Sequence, residues 1–405
     1  MTVLLACCTL IAATDTETRA SVTSSMRAGQ LASLTDAASE PGVEAVIEPG
    51  IELELTERNR QTRLRLGGRF STLQLESQEQ SFASGVFLLS HDHPLNRTLD
   101  LNATAQASGG TQDFRQTLVT LGSDPDAPPS QLPTAGNATQ LDSFLVRFIN
   151  ARAALGVTKR WDPRRSLRVS VATLYGDGEG DGNAEHSGAG QFPRQRTLSL
   201  ETTYTHRLTR RDQLTTALEL SQSELEIVGL YRLARLNVDW TRRLRLGDLG
   251  VQLGGLFVQT ELEDGVQLIP NATLRGSTEL WSQGDRRLRG GIETGLLTTF
   301  DQFSARLLPR ANVALVVTAS FGNEWQWTST GSFQAPVGNG IGGVDTLPID
   351  TFIAAQSRAE WRIDEEVALT GGLTWFMRAA PLDEPFDVRQ QEFAATLGLN
   401  VGYAL

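Results

Sequence analysis

The sequence predicts an all-β chain, a transmembrane antiparallel up-and-down β-barrel of about 16–18 strands. Three observations predict it. Apolar residues recur at every second position through long segments, short turns alternate with longer connections, and an aromatic residue stands beside nearly every short turn.

The alternation begins in earnest at Ile51. Ile51, Leu53 and Leu55 alternate with Glu52, Glu54 and Thr56, and Leu64 and Leu66 with Arg63 and Arg65. Leu99, Leu101 and Ala103 alternate with Asp100, Asn102 and Thr104, and Leu167, Val169 and Val171 with Arg168, Ser170 and Ala172. Further on, Leu214, Thr216, Leu218 and Leu220 share one face, and Ala217, Glu219 and Ser221 the other. Successive strand residues point to opposite sides, so each segment has one apolar wall and one polar or small wall.

A soluble antiparallel sandwich shows the same alternation, but three features decide against it. The segments run about 10–16 residues, where soluble strands peak near 5–6 and a tilted membrane crossing needs about 9–11. Tight turns at Asp162–Arg165, Thr209–Asp212, Gly247-Asp248, Gly322–Glu324 and Asp364–Glu366 alternate with longer stretches at 176–195, 335–347 and 379–388. Short periplasmic turns with longer external loops are the pattern of outer-membrane barrels. Finally, Trp161, Tyr204, Trp240, Trp281, Phe321 and Trp361 sit beside short turns at a spacing of roughly two strands, a turn and a loop. An aromatic girdle belongs at the membrane–water boundary, because such rings are apolar bodies, several with one polar handle.

Composition agrees. With 40% hydrophobic residues and a mean hydropathy of −0.20, the chain contains no run of about 18 apolar residues that would make a spanning helix. A net charge of −11 argues against nucleic acid as a partner. The two cysteines, Cys7 and Cys8, are adjacent, so there is no disulfide framework. Residues 2–13 resemble the apolar core of a secretory signal, which assigns 1–13 to a signal peptide cleaved after Ala13. Leu4-Leu5-Ala6-Cys7 offers the competing reading, a lipidated Cys7. Residues 14–42, polar and weakly helical around Met26–Ala38, read as a periplasmic N-terminal segment, with the barrel in 43–405. About 17 strands can be counted from Ile51 onward. A barrel with both termini in the periplasm needs an even number, hence 16 or 18, with the ambiguity in 43–92.

At the chain end, Phe393, Leu397, Leu399, Val401, Tyr403 and Leu405 line one face against Ala394, Thr396, Gly398, Asn400 and Gly402. This resembles the C-terminal signal of bacterial outer-membrane β-barrels, except that the last residue is Leu rather than Phe. The resemblance implies placement in the cell outer membrane of a Gram-negative bacterium. It also implies contact with outer-membrane lipids and lipopolysaccharide, and insertion by the barrel-assembly machinery. The Arg-rich, Trp-punctuated hairpins are similar in texture to barrels that pair with polysaccharide-export lipoproteins, implying such a periplasmic partner.

Candidate chemistry is sparse. Asp177, Glu179 and Asp181 start a partial calcium loop whose twelfth position, Gly188, lacks the bidentate acid. An acidic external loop binding calcium is the one cofactor this suggests. His91 and His93 share a strand face without an evident third ligand. The lumen face carries both signs, in Arg168, Glu201, Glu219, Arg289, Glu293, Arg358 and Glu360. Charges inside a barrel need water or partners, so a wet lumen is implied. Residues 109–143, with four prolines, read either as a loop folding inward to narrow it or as a disordered external loop. No G-x-S-x-G motif is present, and the four histidines have no evident catalytic neighbours, so an enzyme ranks last. The leading reading is a water-filled channel for a solute or polysaccharide. The alternatives are a closed structural or adhesive barrel and an outer-membrane hydrolase.

Deleting Leu405 and replacing Tyr403 by Ser should abolish membrane assembly. A normal heat-modifiable band from that variant in outer-membrane fractions contradicts the assignment of the terminal signal.

Overall fold

In a strand, backbone N–H and C=O groups find partners only on neighbouring strands, so a sheet surrounded by lipid must have no free edge. The computed structural model describes residues 15–32, 39–57, 60–76, 79–113, 145–180, 194–225, 229–261, 265–301, 306–338, 351–379 and 388–404. These residues form eighteen antiparallel strands. The first nine are β1 (Asp15–Ala32), β2 (Ser39–Glu57), β3 (Arg60–Leu75), β4 (Glu79–Asn96), β5 (Leu99–Asp113), β6 (Leu145–Asp162), β7 (Arg165–Gly180), β8 (Gln195–Arg207) and β9 (Asp212–Leu225). The second nine are β10 (Gly229–Arg243), β11 (Gly247–Thr260), β12 (Gln267–Gln283), β13 (Arg286–Asp301), β14 (Arg306–Phe321), β15 (Trp325–Pro336), β16 (Thr351–Arg362), β17 (Val367–Ala379) and β18 (Val388–Ala404). Each strand bonds its neighbours in sequence, and β1 bonds both β2 and β18, which closes the barrel.

The predicted fold class holds, and the strand number is the upper of the two expected values. One boundary needs correcting. Residues 15–32 are not part of a periplasmic segment, nor is there a helical patch through Met26; they form β1, with Arg19–Gln30 running against Phe393–Ala404. The outward side of β1 is Thr18, Ala20, Val22, Ser24, Met26 and Ala28, too small and polar to show an alternation. Its partners Ile47, Ile51, Leu53, Leu397, Leu399 and Val401 supply the apolar bulk instead. The barrel thus begins well before residue 43, β2 likewise starting at Ser39. Residues 109–113 of the stretch read as a loop belong to a strand, the end of β5, and its remainder, 114–143, lies outside the described residues, as do 1–14 with the expected signal peptide and Cys7.

Which wall faces inward follows from exposure. Leu397 is 68% exposed, Ile149 60% and Leu198 59%, and cross-strand pairing places all three on one continuous outer wall. The opposite parity holds most charges and also the buried cores around Tyr231, Phe82 and Phe376, so it is the concave side. An apolar belt outside and a polar wall inside invert a soluble protein, and suit a barrel whose solvent is hydrocarbon on one side and water on the other.

The short connections, such as Pro163-Arg164 and Gly284-Asp285, lie at one end, together with the start of β1 and the end of β18. Gly284 and Gly322 have φ of +63° and +68°, the left-handed region that tight hairpins need and glycine enters without a Cβ penalty. The longer connections, including 114–144 and 339–350, leave the other end.

Leu218 faces out beside Thr202 and Leu236, whereas Glu219 faces in beside Glu201 and Arg235. Leu218→Arg should therefore destabilise the barrel by about 2–4 kcal/mol near the membrane midplane. Glu219→Gln should cost about 1 kcal/mol or less, since its partner pair is solvated. Reversible urea unfolding in lipid vesicles measures both, and equal costs would contradict the assignment of walls.

Candidate functional site

Among the described residues, the lumen is the surface that the fold shapes and the sequence fills with polar chemistry. All seven sequence-predicted lumen residues sit on the inner wall. Arg168 of β7 lies level with Thr158 and Thr203. With the Asn102 amide turned so that its nitrogen donates to the Gly156 carbonyl, its oxygen accepts from the Arg168 guanidinium at 3.0 Å. Glu201 faces Glu219, and Arg235 approaches Glu219 at 3.4 Å. Arg289 is level with Glu279, and Glu293 with Arg275. Arg358 lies 3.7 Å from Glu360, whose other carboxylate oxygen accepts from Arg362 at 3.0 Å.

Two inner-wall groupings were not anticipated. The first is an acid–base zipper at the closing seam. Arg27 of β1 reaches Glu392 of β18 at 2.9 Å and Glu44 of β2 at 3.9 Å. Arg69 of β3 reaches Glu44 at 3.8 Å and Glu48 at 3.2 Å. Glu44 is 2% exposed, so its charge is held by two guanidiniums rather than by water. The signal was present in the sequence as Glu44, Glu48 and Glu52 at a spacing of four, but it became readable only once β1 was known to be a strand. The second is a crossing contact: Arg275 of β12 passes over β11 to donate to Asp239 of β10 at 2.6 Å. It does so because Gly250 lies beneath; a Cβ there would come 2.5 Å from the Arg275 Nε.

Toward the long-connection end the inner wall changes character. Tyr231, Leu256, Val258 and Ile269 bury one another, as do Leu31, Leu73, Leu75 and Phe82. Phe352 and Phe376 stack at 6.0 Å, and the Arg310 guanidinium lies 5.0 Å over the Phe352 ring. Arg310 is 1% exposed. The lumen is packed by side chains in this half and wetter in the other, where Glu201, Gln326 and Arg207 are exposed.

The six girdle aromatics lie on the outer wall near the short turns. Trp161 and Tyr204 approach edge to face at 6.3 Å, and Trp361 stacks on Trp325 at 5.4 Å. Trp240 faces out in register with Leu214 and Val251, Trp281 with Leu288, and Phe321 with Trp325. Trp325 and Trp327 extend the band beyond the six. Of the terminal residues, Phe393, Leu397, Leu399, Val401 and Tyr403 face outward, and Leu405 lies outside the described residues.

Asp177 lies on the outer wall and accepts from the Tyr175 hydroxyl at 2.7 Å, while the Glu179 side chain and Asp181 lie outside the described residues. His91 and His93 also face outward, their rings 6.1 Å apart, with His91 Nδ1 sharing a hydrogen bond with Thr62. Among the described residues, no group of three or more His, Cys, Asp or Glu side chains is placed to hold a metal.

A closed antiparallel barrel of eighteen strands, apolar outside, polar inside, with short turns at one end, is the architecture of bacterial outer-membrane barrels. Among solved structures the chain is similar to OccAB3 of Acinetobacter baumannii, at 9% identity and a TM-score of 0.51, covering 96% of this chain and 100% of that one. It is more loosely similar to the outer membrane protein opdK from Pseudomonas aeruginosa, at 10% identity and a TM-score of 0.48, covering 96% and 99%. The copper transporter OprC stands at 11% identity and 0.49, covering 97% and 81%. The likeness to OccAB3 is one of fold. No family model matches the chain, and no curated protein matches it.

Removing the Glu44 carboxylate leaves Arg27 and Arg69 facing each other in the wall. Glu44→Ala should cost about 3 kcal/mol, the lower part of the range for broken buried pairs, because Glu392 and Glu48 remain. Glu17→Ala removes a pair that is more than half exposed, and should leave the urea midpoint nearly unchanged. Urea midpoints of the two variants compare them directly.

Proposed function

We propose that this protein is a channel of the outer membrane, through which polar solutes cross by way of the barrel lumen. The observation that carries the reading is the inner wall, where charged and hydroxyl side chains recur on strand after strand around a closed barrel. Such groups are stable on a concave surface only when water or ion partners solvate them. A barrel of 16–18 strands is also wide enough to hold an aqueous passage. The packed half near the long connections is its narrow part, and the mixed signs of charge speak for a channel without strong preference for one ion.

Passage of a polysaccharide, with a periplasmic export lipoprotein as partner, is a narrower form of the same reading and rests on sequence texture alone. Around the barrel we propose lipid and lipopolysaccharide. On the outer wall toward the long connections, Arg147 and Arg196 stand beside Tyr175 and Asp177, suited to anionic headgroups and the cations that bridge them.

Single-channel recording in planar bilayers tests the proposal. The native barrel should give discrete conductance steps. Phe352→Ala with Phe376→Ala should enlarge those steps, because the stacked pair lines the narrow half. A correctly folded barrel that gives no steps in either form overturns the channel in favour of a closed structural barrel.

A further inference from the structure

The charged inner residues are unevenly spread around the wall. β1, β2 and β3 carry Glu17, Arg19, Arg27, Glu44, Glu48, Glu52, Glu54, Arg63, Arg65 and Arg69, many tied to one another. The inner face of β15 is the opposite case. It reads Gln326, Thr328, Thr330, Ser332 and Gln334 in unbroken succession, amides and hydroxyls without a single charge. This column runs from the short turn at Gly322 toward the packed half.

A hollow of about 120 Å³ opens from the lumen along this column, lined by Gln326, Thr328, Thr330, Gln356, Arg358 and Glu360. Cross-strand pairing sets these as three rungs: Gln326 with Glu360, Thr328 with Arg358, and Thr330 with Gln356. Two amides and two hydroxyls each both donate and accept, while Arg358 donates and Glu360 accepts. Within the lining Arg358 and Glu360 offset one another, and Arg362 on the next rung also donates to Glu360, at 3.0 Å. A charged solute finds its attractive partner already paired with another side chain, and an apolar solute would strip water from six polar groups. A neutral molecule rich in hydroxyl groups satisfies every rung, because each hydroxyl of such a solute can donate and accept in turn.

We propose that this hollow is a binding site for neutral saccharides, through which such solutes are selected on their way along the lumen. The inference deepens the channel reading and rests on the lumen being open to solutes.

The test uses the purified full-length barrel in detergent micelles, titrated calorimetrically with glucose and sucrose, and with gluconate and glucosamine as charged counterparts. Two variant pairs are compared, Thr328→Val with Thr330→Val, which keeps the branched shape, and Gln326→Leu with Gln356→Leu. Circular dichroism melts confirm that each barrel is folded. The neutral sugars should bind, and the charged analogues should bind more weakly. Each variant pair should raise the sugar dissociation constant by roughly fivefold per hydrogen bond lost. Absence of sugar binding to the native barrel, equal affinity for the charged analogues, or unchanged affinity in both variant pairs overturns the inference. Salt conductance of the same preparations separates the two readings. Steps without sugar binding leave the channel standing and remove the saccharide site; sugar binding without steps removes the channel and, with it, the site's role in selecting solutes.

Discussion

Hydrocarbon offers no hydrogen bonds, and the structure follows from that single constraint. A strand in lipid must be paired along both edges, so the sheet has to return to its own beginning. β1 is the element that satisfies this, bonded to β2 along its whole length and to β18 along most of it. The alternation of every other strand then has a fixed meaning, because a closed sheet has only an inside and an outside. Apolar residues that would be misplaced on a soluble protein, such as Leu397 and Ile149, become the required lipid-facing surface.

The inner wall solves a second problem, how to keep charges where no continuous protein core exists. It uses three environments. At the seam, Arg27, Arg69 and Glu392 are partly shielded from water and pair around the buried Glu44 and each other. Around Glu201, Arg168 and Arg358 the lumen itself solvates the charge. Over β11, glycine takes the place of a side chain so that Arg275 can lie flat and reach Asp239. The last device shows why glycine recurs within these strands. Gly156 under Asn102 and Gly250 under Arg275 are empty positions that let a long neighbour reach across a strand.

Much of this could be read from sequence wherever both walls were strongly marked. β16 to β18 carry Trp361, Leu369, Leu373 and Leu399 on one side against Glu360, Thr370 and Asn400 on the other. Alternation of that contrast is readable as a period of two even though it cancels in any average, and it placed the aromatics beside their turns and the seven charged residues on the polar wall. β1 stayed hidden because its outward residues are Ala, Ser, Thr and Val with one Met, and because Arg and Glu on its other face look the same as a solvated tail. The packed half of the lumen was unreadable for a different reason. Leu73, Phe82 and Phe376 stand at inward parity, where an apolar residue looks like a flaw in the alternation until the neighbouring strands place others beside it.

The meeting of the first and last strands also governs how the chain can reach its final state. Every other neighbouring pair is joined by a single connection and can form locally, but Arg19 meets Ala404 only after the whole chain is present. The loop closed by that contact is nearly the length of the protein, so its entropic cost comes last and all at once. Until then the sheet has two open margins, each able to accept a foreign strand. The seam is thus a vulnerable step in biogenesis as well as a joint. Placing the Arg27–Glu392 attraction across it gives the two margins a reason to choose each other over any other strand nearby.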